Sequence, residues 1–506
     1  MRPLGKRSKR FGVAILVGTL ALAAILFWNV ASMPSRQIVV GTADPISVDL
    51  TAATQRFSAA IAIPTISHQN PAKIDEPTFQ RFREYLENAY PRVQESLVLL
   101  TGSTFGDDRN QSLLFRWEGK AESKKLPILL MAHYDVVPVE ASTLEAWTHP
   151  PFSGKIDDGA IWGRGTLDDK CAVVALMEAM EYLLAEGFEP DRTVYLSLGH
   201  DEEVGGTHGN KPIAEWLRQQ KIRFEFVLDE GGGIFNDLPG LGQPAALIGI
   251  AEKGFLTVKL TVELRDTGHS SIPPSDTAIS ILAEAIGSLQ QHPFPPRLDG
   301  GAGQMLEFVG PEMPLVNRVA VSNQWLFGSL IRKQLAATPV GNAAIRTTIA
   351  PTIVEGGFKE NVLPTEASVT LNLRLLPNDT IEGALEHLER SVNDSRVRIS
   401  DPLMGKDPSR ISSTESDAFD LLHRTVKEVY PDVVVAPFVV VAGTDAAHYD
   451  EPTSSRDVYR FAPWRLGKED IKRIHGINEK ISQREFGDMI RFYERLIRNA
   501  CETLQE

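Results

Sequence analysis

The feature that most constrains this chain is an apolar run from Ile128 to Ala132 that ends in the triplet His133-Tyr134-Asp135. A short apolar run bounded by polar residues is typical of a buried β-strand. Because side chains alternate between the two faces of a strand, His133 and Asp135 are expected to point the same way. A histidine at a strand end, with a carboxylate beside it, suits a metal ligand and the group that orients it. Taken alone, the pair His133 and Asp135 could equally well occur by chance.

A glycine-rich stretch, Trp162–Lys170, comes next and leads into an apolar run of helical character, Ala172–Glu186. This order places Asp168 on a loop at a helix N-terminus, near the end of the first strand. An acidic residue there can bind a metal ion or can simply favour the start of the helix. Asp169 is interpreted as a charge at the helix N-terminus.

Three more apolar runs end in acidic residues or histidine and are accompanied by glycine or other small residues. The residues at these ends are, in chain order, Glu202 and Glu203, Asp229 and Glu230, and Asp445 and His448. In an open α/β sheet, ligands bind beyond the carboxyl ends of the strands. Four such ends in one chain are hard to attribute to chance, so the sequence predicts a metal site at this edge of the sheet.

The order of the predicted elements indicates two domains after the N-terminal region. Strands and helices alternate over residues 52–251, which favours an α/β domain with a mostly parallel sheet covered by helices. Residues 252–405 give the order β-α-β-β-α-β, which suggests a smaller, ferredoxin-like α+β insert. Residues 406–506 would then complete the first domain. Within the insert, Trp325–Ala337 is amphipathic and is interpreted as local core, with a membrane contact as the alternative.

The N-terminal region has the composition of a membrane anchor. Residues 1–10 are basic, and Phe11–Met33 is almost entirely apolar. That length fits a transmembrane helix better than the shorter core of a cleaved signal peptide, which is the alternative. The basic flank predicts a cytoplasmic N-terminus and a catalytic domain across the membrane, in a periplasm, a vacuole or lumen, or the exterior. Residues 34–51 are predicted to form a polar tether.

The charge balance excludes one class of function. The formal net charge is −14, and no long basic run follows residue 10, so nucleic-acid binding is not expected. Bound cations would offset part of this acidic excess. The two cysteines, Cys171 and Cys501, are predicted to be free, so they imply no disulfide framework.

Six short motifs, read in order, resemble the M20 family of co-catalytic zinc amidohydrolases. They are HYDVVPV, GRGTLDDK, GHDEEVGG, LDEGG, TGHSSIPP and GTDAAHY. The chain is most similar to the branch of carboxypeptidase S and the N-fatty-acyl-amino-acid hydrolases, from about Phe57 to the C-terminus. The resemblance implies a zinc-peptidase-like catalytic domain interrupted by a lid domain, which often forms homodimers. It also implies two zinc ions per subunit, with cobalt or manganese as alternatives.

The resemblance also implies roles for individual residues. Asp168 matches the acid that bridges the two metal ions, and Glu202 matches the general base that takes a proton from the water between them. Asp135 matches the residue that orients a histidine ligand. The other ligands implied are His133 with Asp229 or Glu230 on one ion, and Glu203 with His448 on the other. The choice between Asp229 and Glu230 stays open.

Further positions match residues that hold the substrate. His269 matches a lid histidine that stabilises the oxyanion, often in the active site of the partner subunit, although Thr267 departs from the usual glycine. Arg374 suits a free carboxylate because a guanidinium can donate two parallel hydrogen bonds to it. The remaining candidates for substrate binding are Asn361, Gly443 and Thr444.

The expected function is hydrolysis of the amide bond beside an amino acid that has a free α-carboxylate. The substrate would be a peptide, for a carboxypeptidase, or an N-acyl amino acid, for an N-acyl-amino-acid amidohydrolase. The resemblance also permits the reverse condensation. The alternatives are a dipeptidase or deacetylase of the same superfamily and a non-catalytic, metal-dependent binding protein. The presence of Glu202, Asp168 and every type of metal ligand speaks against a non-catalytic protein.

Overall fold

The structure is a computed structural model that describes residues 6–44, 46–107, 111–265 and 268–502. Residues 1–5 of the predicted basic tail and Thr267 of the TGHSSIPP motif lie outside the described residues. The helices are α1 (Lys6–Ala31), α2 (Leu50–Ile61), α3 (Glu76–Ala89), α4 (Pro91–Ser96), α5 (Gly102–Phe105), α6 (Lys170–Ala185), α7 (Asn210–Gln219), α8 (Ala278–Gln291), α9 (Gly300–Val309), α10 (Leu315–Ser322), α11 (Gln324–Ala336), α12 (Pro339–Ile345), α13 (Ile381–Val392), α14 (Asp417–Val429), α15 (Lys468–Ile471) and α16 (Gln483–Cys501).

The strands belong to a large sheet, a small sheet and a short three-stranded sheet. They are β1 (Val98–Thr101), β2 (Leu113–Trp117), β3 (Ile128–His133), β4 (Lys155–Asp157), β5 (Ala160–Trp162), β6 (Val194–Gly199), β7 (Phe224–Asp229), β8 (Gly233–Phe235), β9 (Ala245–Glu252), β10 (Gly254–Glu263), β11 (Thr348–Gly356), β12 (Glu366–Leu375), β13 (Val397–Ile399), β14 (Met404–Lys406), β15 (Val434–Val440), β16 (Ser455–Arg460), β17 (Arg465–Leu466) and β18 (Lys480–Ser482).

Among the described residues the large sheet is mixed: five of its nine strand pairs are parallel, in line with the predicted mostly parallel sheet, and four are antiparallel. Its order is β1-β2-β6-β3-β7-β16-β9-β8-β17, and β15 pairs with β9. The central strands β6, β3, β7 and β16 are parallel to one another. Antiparallel pairs join β1 to β2, β2 to β6, β9 to β16 and β8 to β9. The links from β1 to β2 and from β8 to β9 are too short for the crossover that a parallel pair requires.

Helix α6 is enclosed by the large domain, and this explains why its sequence is apolar on nearly every side. It contacts β3 on one side and α2 and α16 on the other. Phe57 of α2 stacks on Phe486 of α16 with ring centroids 4.6 Å apart, which closes the core around it. A helix that is apolar all round must be buried all round. The loop that carries Asp168 leads into α6, so its C-terminal end is held in place by this buried helix.

The small sheet has its own core. Its order is β11-β12-β10-β13, with β14 also paired to β10. Helices α8 and α13 contribute to a cluster of buried apolar side chains that is separate from the core of the large sheet. Along the chain, the elements β10, α8, β11, β12, α13 and β13 have the predicted order β-α-β-β-α-β. Strand β11 forms an exposed edge, where Ile353 and Val354 are 56% and 66% exposed.

Helices α9 to α12 lie between α8 and β11 in sequence, but α9, α10 and α11 join the core of the large sheet in space. Helix α9 packs on β15, and its Phe308 contacts Phe419 edge to face, with centroids 5.6 Å apart. The predicted amphipathic segment Trp325–Ala337 corresponds to α11, and Ile331 of this helix is buried in the same core. This segment therefore lies within the insert in sequence, but in the structure it packs on the large sheet. Local patterns do not reveal an insertion that folds back onto another domain.

The N-terminal helix α1 contains one segment, Val13–Ala31, that is long and apolar enough to cross a membrane. The tether that follows is in contact with the large domain. Gln37 exchanges hydrogen bonds of 2.8 and 2.9 Å with the backbone of Val435 on β15. The backbone N–H of Ala43 donates to the carbonyl of Glu428, at 2.9 Å. Residues 34–43 thus form a strap along the large domain, and this segment is called the strap below.

Candidate metal centre

Three parallel strands bring polar residues to one edge of the large sheet. Strand β3 ends at His133, which pairs in register with Gly199 at the end of β6. Strand β7, on the other side of β3, ends at Asp229. The turn Glu202–Val204 follows β6, and the loop with Asp168 leads into α6. Parallel pairing thus gathers residues that are far apart in the chain.

His133 lies at the centre of an acidic cluster. Its Nε2 atom is 3.0 Å from Oδ1 of Asp168, 3.4 Å from Oε1 of Glu230 and 3.9 Å from Oε2 of Glu202. Ligand-type atoms of His133, Glu202 and Glu230 lie within 4.8 Å of one another, and so do those of His133, Asp168 and Glu203. The structure therefore brings these five predicted residues into one site.

The structure adds a histidine that the sequence reasoning missed. Nε2 of His475 is 2.9 Å from Oδ2 of Asp168 and 3.1 Å from Oε2 of Glu203. These two hydrogen bonds raise the pKa of His475 to about 10. His475 stands in a turn with a positive φ of 59°, and no apolar strand run precedes it. The signal that could have found it is the polar group His475, Asn478 and Glu479 directly before β18.

His448 does not reach this cluster. Among the described residues, its only ion-pair distance is 3.9 Å, from Nε2 to Oδ1 of Asp445. Burial lowers the pKa of His448 to about 4, so the imidazole is neutral. Asp445 accepts a hydrogen bond of 2.6 Å from the side-chain amide of Asn210. The distances therefore give the predicted ligand role to His475 more readily than to His448.

Asp229 and Glu230 are adjacent but face different partners. Oδ1 of Asp229 accepts from the backbone N–H of Glu230 at 3.0 Å, and Oδ2 accepts from that of Ala446 at 2.7 Å. Asp229 thus ties the loop after β15 to the end of β7. Glu230 is the one that lies against His133, at 3.4 Å. The geometry favours Glu230 as the ligand and Asp229 as its support.

One buried carboxylate positions both halves of the cluster. Oδ1 of Asp135 accepts from the backbone N–H of Glu202 at 3.1 Å, and Oδ2 accepts from that of Glu203 at 3.2 Å. Nδ1 of His133 is 3.3 Å from Oδ1 of the same aspartate. The backbone carbonyl of Asp135 is closer to the same nitrogen, at 3.0 Å. Asp135 thus lies where it can orient the histidine, and it also fixes the turn that carries the two glutamates.

A second buried carboxylate, Glu479, holds the loop that carries Asp168. Its Oε1 atom accepts from the backbone N–H groups of Gly165 and Leu167, at 3.0 and 2.8 Å. The N–H of Asp168 also points to this oxygen, at 3.3 Å. Its Oε2 atom is 2.5 Å from Nη1 of Arg164, and neither side chain of this ion pair is more than 4% exposed. The loop is therefore pinned by one ion pair and three backbone donors.

We expect Glu479→Gln to lower the thermal midpoint of the protein and to weaken the binding of divalent metal ions. Glutamine can still accept the backbone hydrogen bonds but leaves Arg164 buried without a counter-ion, and breaking such a pair costs about 3–5 kcal/mol. Thermal unfolding and zinc titration measure both effects. The control is Glu469→Gln, because the ion pair of Glu469 with Lys472 is 70% exposed on both sides and its loss should leave the midpoint nearly unchanged. Equal midpoints for the two variants would contradict the role of Glu479.

The donor set fits divalent cations. Burial raises the pKa of Glu202 well above its ordinary value, opposed by His133 and reinforced by Glu230. Burial, and then the charge of Asp168, raise the pKa of Glu230 to about 8. Oε1 of Glu203 is buried and has no hydrogen-bond partner among the described residues. Cations would remove the repulsion between the carboxylates and would satisfy that oxygen. Histidine nitrogens and carboxylate oxygens are ligands that zinc accepts.

The predicted substrate-binding residues lie on two different parts of the chain. Thr444 is buried beside the cluster, where its hydroxyl donates to Oε1 of Glu252 at 2.6 Å, and its neighbour Gly443 is exposed. His269 and Asn361 belong to adjoining loops of the small-sheet region, joined by a 3.3 Å bond from the N–H of Ser270 to the carbonyl of Asn361.

Two of these small-sheet residues contact neighbouring side chains of their own region. His269 is exposed, and its Nδ1 atom lies 2.8 Å from the hydroxyl of Ser271. Arg374 is exposed on β12, with its guanidinium carbon 6.0 Å from the ring centroid of Phe255. No hydrogen bond or ion pair joins His269, Asn361 or Arg374 to the cluster within the described ranges. Their predicted roles stay predictions.

An α/β sheet that carries a buried histidine, His133, and a cluster of carboxylates at its edge is typical of metal-dependent hydrolases. Solved structures share this fold. The M20 family metallo-carboxypeptidase Sso-CP2 from Sulfolobus solfataricus matches with a TM-score of 0.61 and 20% identity, over 88% of this chain and 99% of that one. Human carnosine dipeptidase 1 matches with a TM-score of 0.59 and 15% identity, over 90% and 97%. The chain belongs to peptidase family M20/M25/M40, whose sequence profile matches residues 129–499.

Curated relatives confirm the predicted branch. The chain is 39% identical to "Probable carboxypeptidase S-like 2" of Dictyostelium discoideum, over 99% of this chain and 96% of the relative. It is 38% identical to human "N-fatty-acyl-amino acid synthase/hydrolase PM20D1", over 89% and 88%. Carboxypeptidase S of Saccharomyces cerevisiae is 30% identical, over 84% and 80%. The chain is thus a hydrolase of the metallocarboxypeptidase and aminoacylase type.

Proposed function

We propose that this protein is a membrane-anchored, two-zinc amidohydrolase that releases an amino acid with a free α-carboxylate from a peptide or an N-acyl amino acid. One observation carries the proposal. The two oxygens of Asp168 face two different histidines, His133 on Oδ1 and His475 on Oδ2, at 3.0 and 2.9 Å. A carboxylate placed in this way between two imidazoles has the arrangement of a bridging ligand.

The ligands divide into two groups around Asp168. His133 and Glu230 would hold one ion with it, and Glu203 and His475 would hold the other. Zinc is the preferred metal for this donor set, and cobalt or manganese are the alternatives. When bound, the two ions polarise the substrate carbonyl and make water a stronger acid.

Glu202 is the residue that moves the proton. Its backbone is fixed by Asp135, and its Oε2 atom lies 3.9 Å from His133, beside the ligands rather than among the closest contacts. As the water oxygen bonds to the carbonyl carbon, Glu202 accepts a proton from that water. It then gives the proton to the amide nitrogen as the carbon–nitrogen bond breaks. The products are a carboxylic acid and a free amine.

The small-sheet region is proposed to act as a lid and as the contact of a homodimer. His269 would donate to the oxyanion from an exposed loop, either by lid closure or from the partner subunit, and Asn361 would assist in holding the substrate. Arg374 would bind the α-carboxylate, with Gly443 and Thr444 contributing donors from the catalytic side. The exposed edge of β11 supports a contact between two copies of the chain.

The proposed location follows from α1. Residues 13–31 would span the membrane once, with the basic N-terminus in the cytoplasm and the catalytic domain on the other side.

The relatives with carboxypeptidase S in their names and those named N-fatty-acyl-amino acid synthase/hydrolase support two substrate classes, peptides and N-acyl amino acids. A dipeptidase or a deacetylase is the alternative.

A substrate panel tests the proposed function. We expect the purified full chain, in detergent with added zinc, to release free amino acid from at least one of three classes: dipeptides, N-acetyl amino acids and N-long-chain-acyl amino acids. A chelator should abolish release, and zinc should restore it. Methyl esters of the same substrates are the matched control, because they lack the α-carboxylate and should be poor substrates. Equal rates for acids and esters, or release that resists the chelator, would contradict the proposal.

A further inference from the structure

Helices α10 and α11 expose apolar side chains that their own domain does not cover. The exposed fractions are 55% for Leu315, 81% for Val316, 64% for Trp325, 44% for Leu326 and 50% for Leu330. These five side chains are called the apolar patch. Exposed patches of large apolar residues mark surfaces that meet a partner.

The charge around the apolar patch is unusual for this chain. From Met313 to Val354 the sequence has no aspartate or glutamate, although the whole chain has 66 of them in 506 residues. Basic residues are retained in the same stretch, and Lys333 of α11 is exposed. A segment without acidic residues that carries apolar and basic side chains is suited to a lipid headgroup layer.

The apolar patch adjoins α1 through a polar contact. The side-chain amide of Asn29 donates to Oδ1 of Asn323 at 2.8 Å, and Nδ2 of Asn323 lies 3.2 Å from the carbonyl of Leu26. The indole N–H of Trp325 points to Oδ1 of Asn323 at 3.4 Å. Asn323 itself is fully buried between these elements. The patch therefore begins beside the last two turns of α1.

The depth of this contact along α1 can be read from helix geometry. Leu26 lies five residues before Ala31, where the apolar segment ends, and this corresponds to about 7 Å along the axis. Amphipathic helices at a bilayer surface bury their apolar face by about 5–10 Å. Trp28, on the same turn of α1, is 72% exposed, and tryptophan is enriched at membrane interfaces. These distances place the patch at the depth of the bilayer interface.

We infer that the apolar patch is seated in the surface layer of the bilayer that α1 crosses, so that its partner is a lipid surface. The inference rests on the proposed membrane anchor and adds a second membrane contact to it. The interpretation of Trp325–Ala337 as local core holds only for the inward face of α11, where Ile331 is buried. The strap keeps this surface beside α1, because residues 34–43 are hydrogen-bonded to the large domain.

Site-specific labels test the inference in the full chain. Cys171 and Cys501 are buried, so a thiol-reactive fluorophore will react with an introduced cysteine. Leu330→Cys reports on the patch, Leu20→Cys on the middle of α1, and Phe358→Cys, 84% exposed near the small sheet, is the matched control. Each labelled chain is reconstituted in phosphatidylcholine–phosphatidylserine vesicles that contain nitroxide lipids.

We expect the label at position 330 to be quenched severalfold more than the label at 358, and most strongly by nitroxide near the headgroup. The label at position 20 should be quenched most strongly by nitroxide deep in the acyl chain. Quenching at 20 with no excess at 330 over 358 would overturn the patch and leave the anchor in place. Quenching at neither position would overturn both. A label at 330 that is shielded from both nitroxide lipid and aqueous iodide would show a protein partner instead and would also overturn the inference.

Discussion

His475→Ala is expected to remove one of the two proposed zinc ions and to lower kcat/KM by more than about 100-fold. Loss of a residue that only hydrogen-bonds to a metal ligand costs about 10- to 100-fold, and loss of a ligand itself should cost more. The reason is geometric. Nε2 of His475 lies 2.9 Å from Asp168 and 3.1 Å from Glu203, so this imidazole can bind the same ion as these two carboxylates. Metal content by mass spectrometry and kcat/KM on the best substrate of the panel measure the two effects.

His448→Ala is the control for this substitution. His448 follows β15, close to the cluster in the fold, yet its ion-pair distance of 3.9 Å is to Asp445 and not to a member of the cluster. We expect this variant to retain both ions. Loss of an ion from His448→Ala, with full metal content in His475→Ala, would restore the ligand set that the motifs alone implied.

Glu202→Gln is expected to keep the metal content unchanged and to reduce kcat by about 100- to 10,000-fold, which is the usual contribution of a general acid–base. Glutamine has nearly the same shape, and the backbone bond from position 202 to Asp135 does not depend on the side chain. The amide can accept a hydrogen bond but cannot take up and return a proton. Metal analysis and steady-state kinetics on the same preparation check both halves of this prediction.

Glu203→Gln separates catalysis from metal binding in the same turn. Glu203 faces His475 and is a proposed ligand, so this variant should lose zinc affinity together with activity. A near-normal rate for Glu202→Gln with intact zinc would falsify the base role of Glu202. Loss of metal from Glu202→Gln would instead make Glu202 a ligand.

The sequence predicted those parts of the site that follow strong local patterns. The apolar run Ile128–Ala132, predicted as a strand, is observed as β3 at Ile128–His133, and the helix predicted at Ala172–Glu186 is observed at Lys170–Ala185. Short apolar runs pair in parallel at the centre of the sheet, so the ends of β3, β6 and β7 meet. His133, Asp168 and the pair Glu202-Glu203 therefore come together as expected.

Other parts of the site depend on contacts that no local pattern contains. Glu479 holds Arg164 across 315 residues of sequence, and His475 lies in a turn without apolar periodicity. The choice between Asp229 and Glu230 depends on where β7 ends, because the directions of adjacent side chains differ at that point. The return of α9 to β15 is likewise decided by tertiary packing.

The strap has a consequence for how the enzyme meets its substrate. As a free coil, residues 34–51 would let the catalytic unit drift on the order of 20 Å from the end of α1. The hydrogen bonds from Gln37 to Val435 and from Ala43 to Glu428 remove that freedom. With α1 in a bilayer, the distance from Glu202 to the lipid surface is then fixed by the fold. The rate of hydrolysis of an N-long-chain-acyl amino acid would then depend on the surface density of this substrate in the membrane, not on its concentration in bulk water.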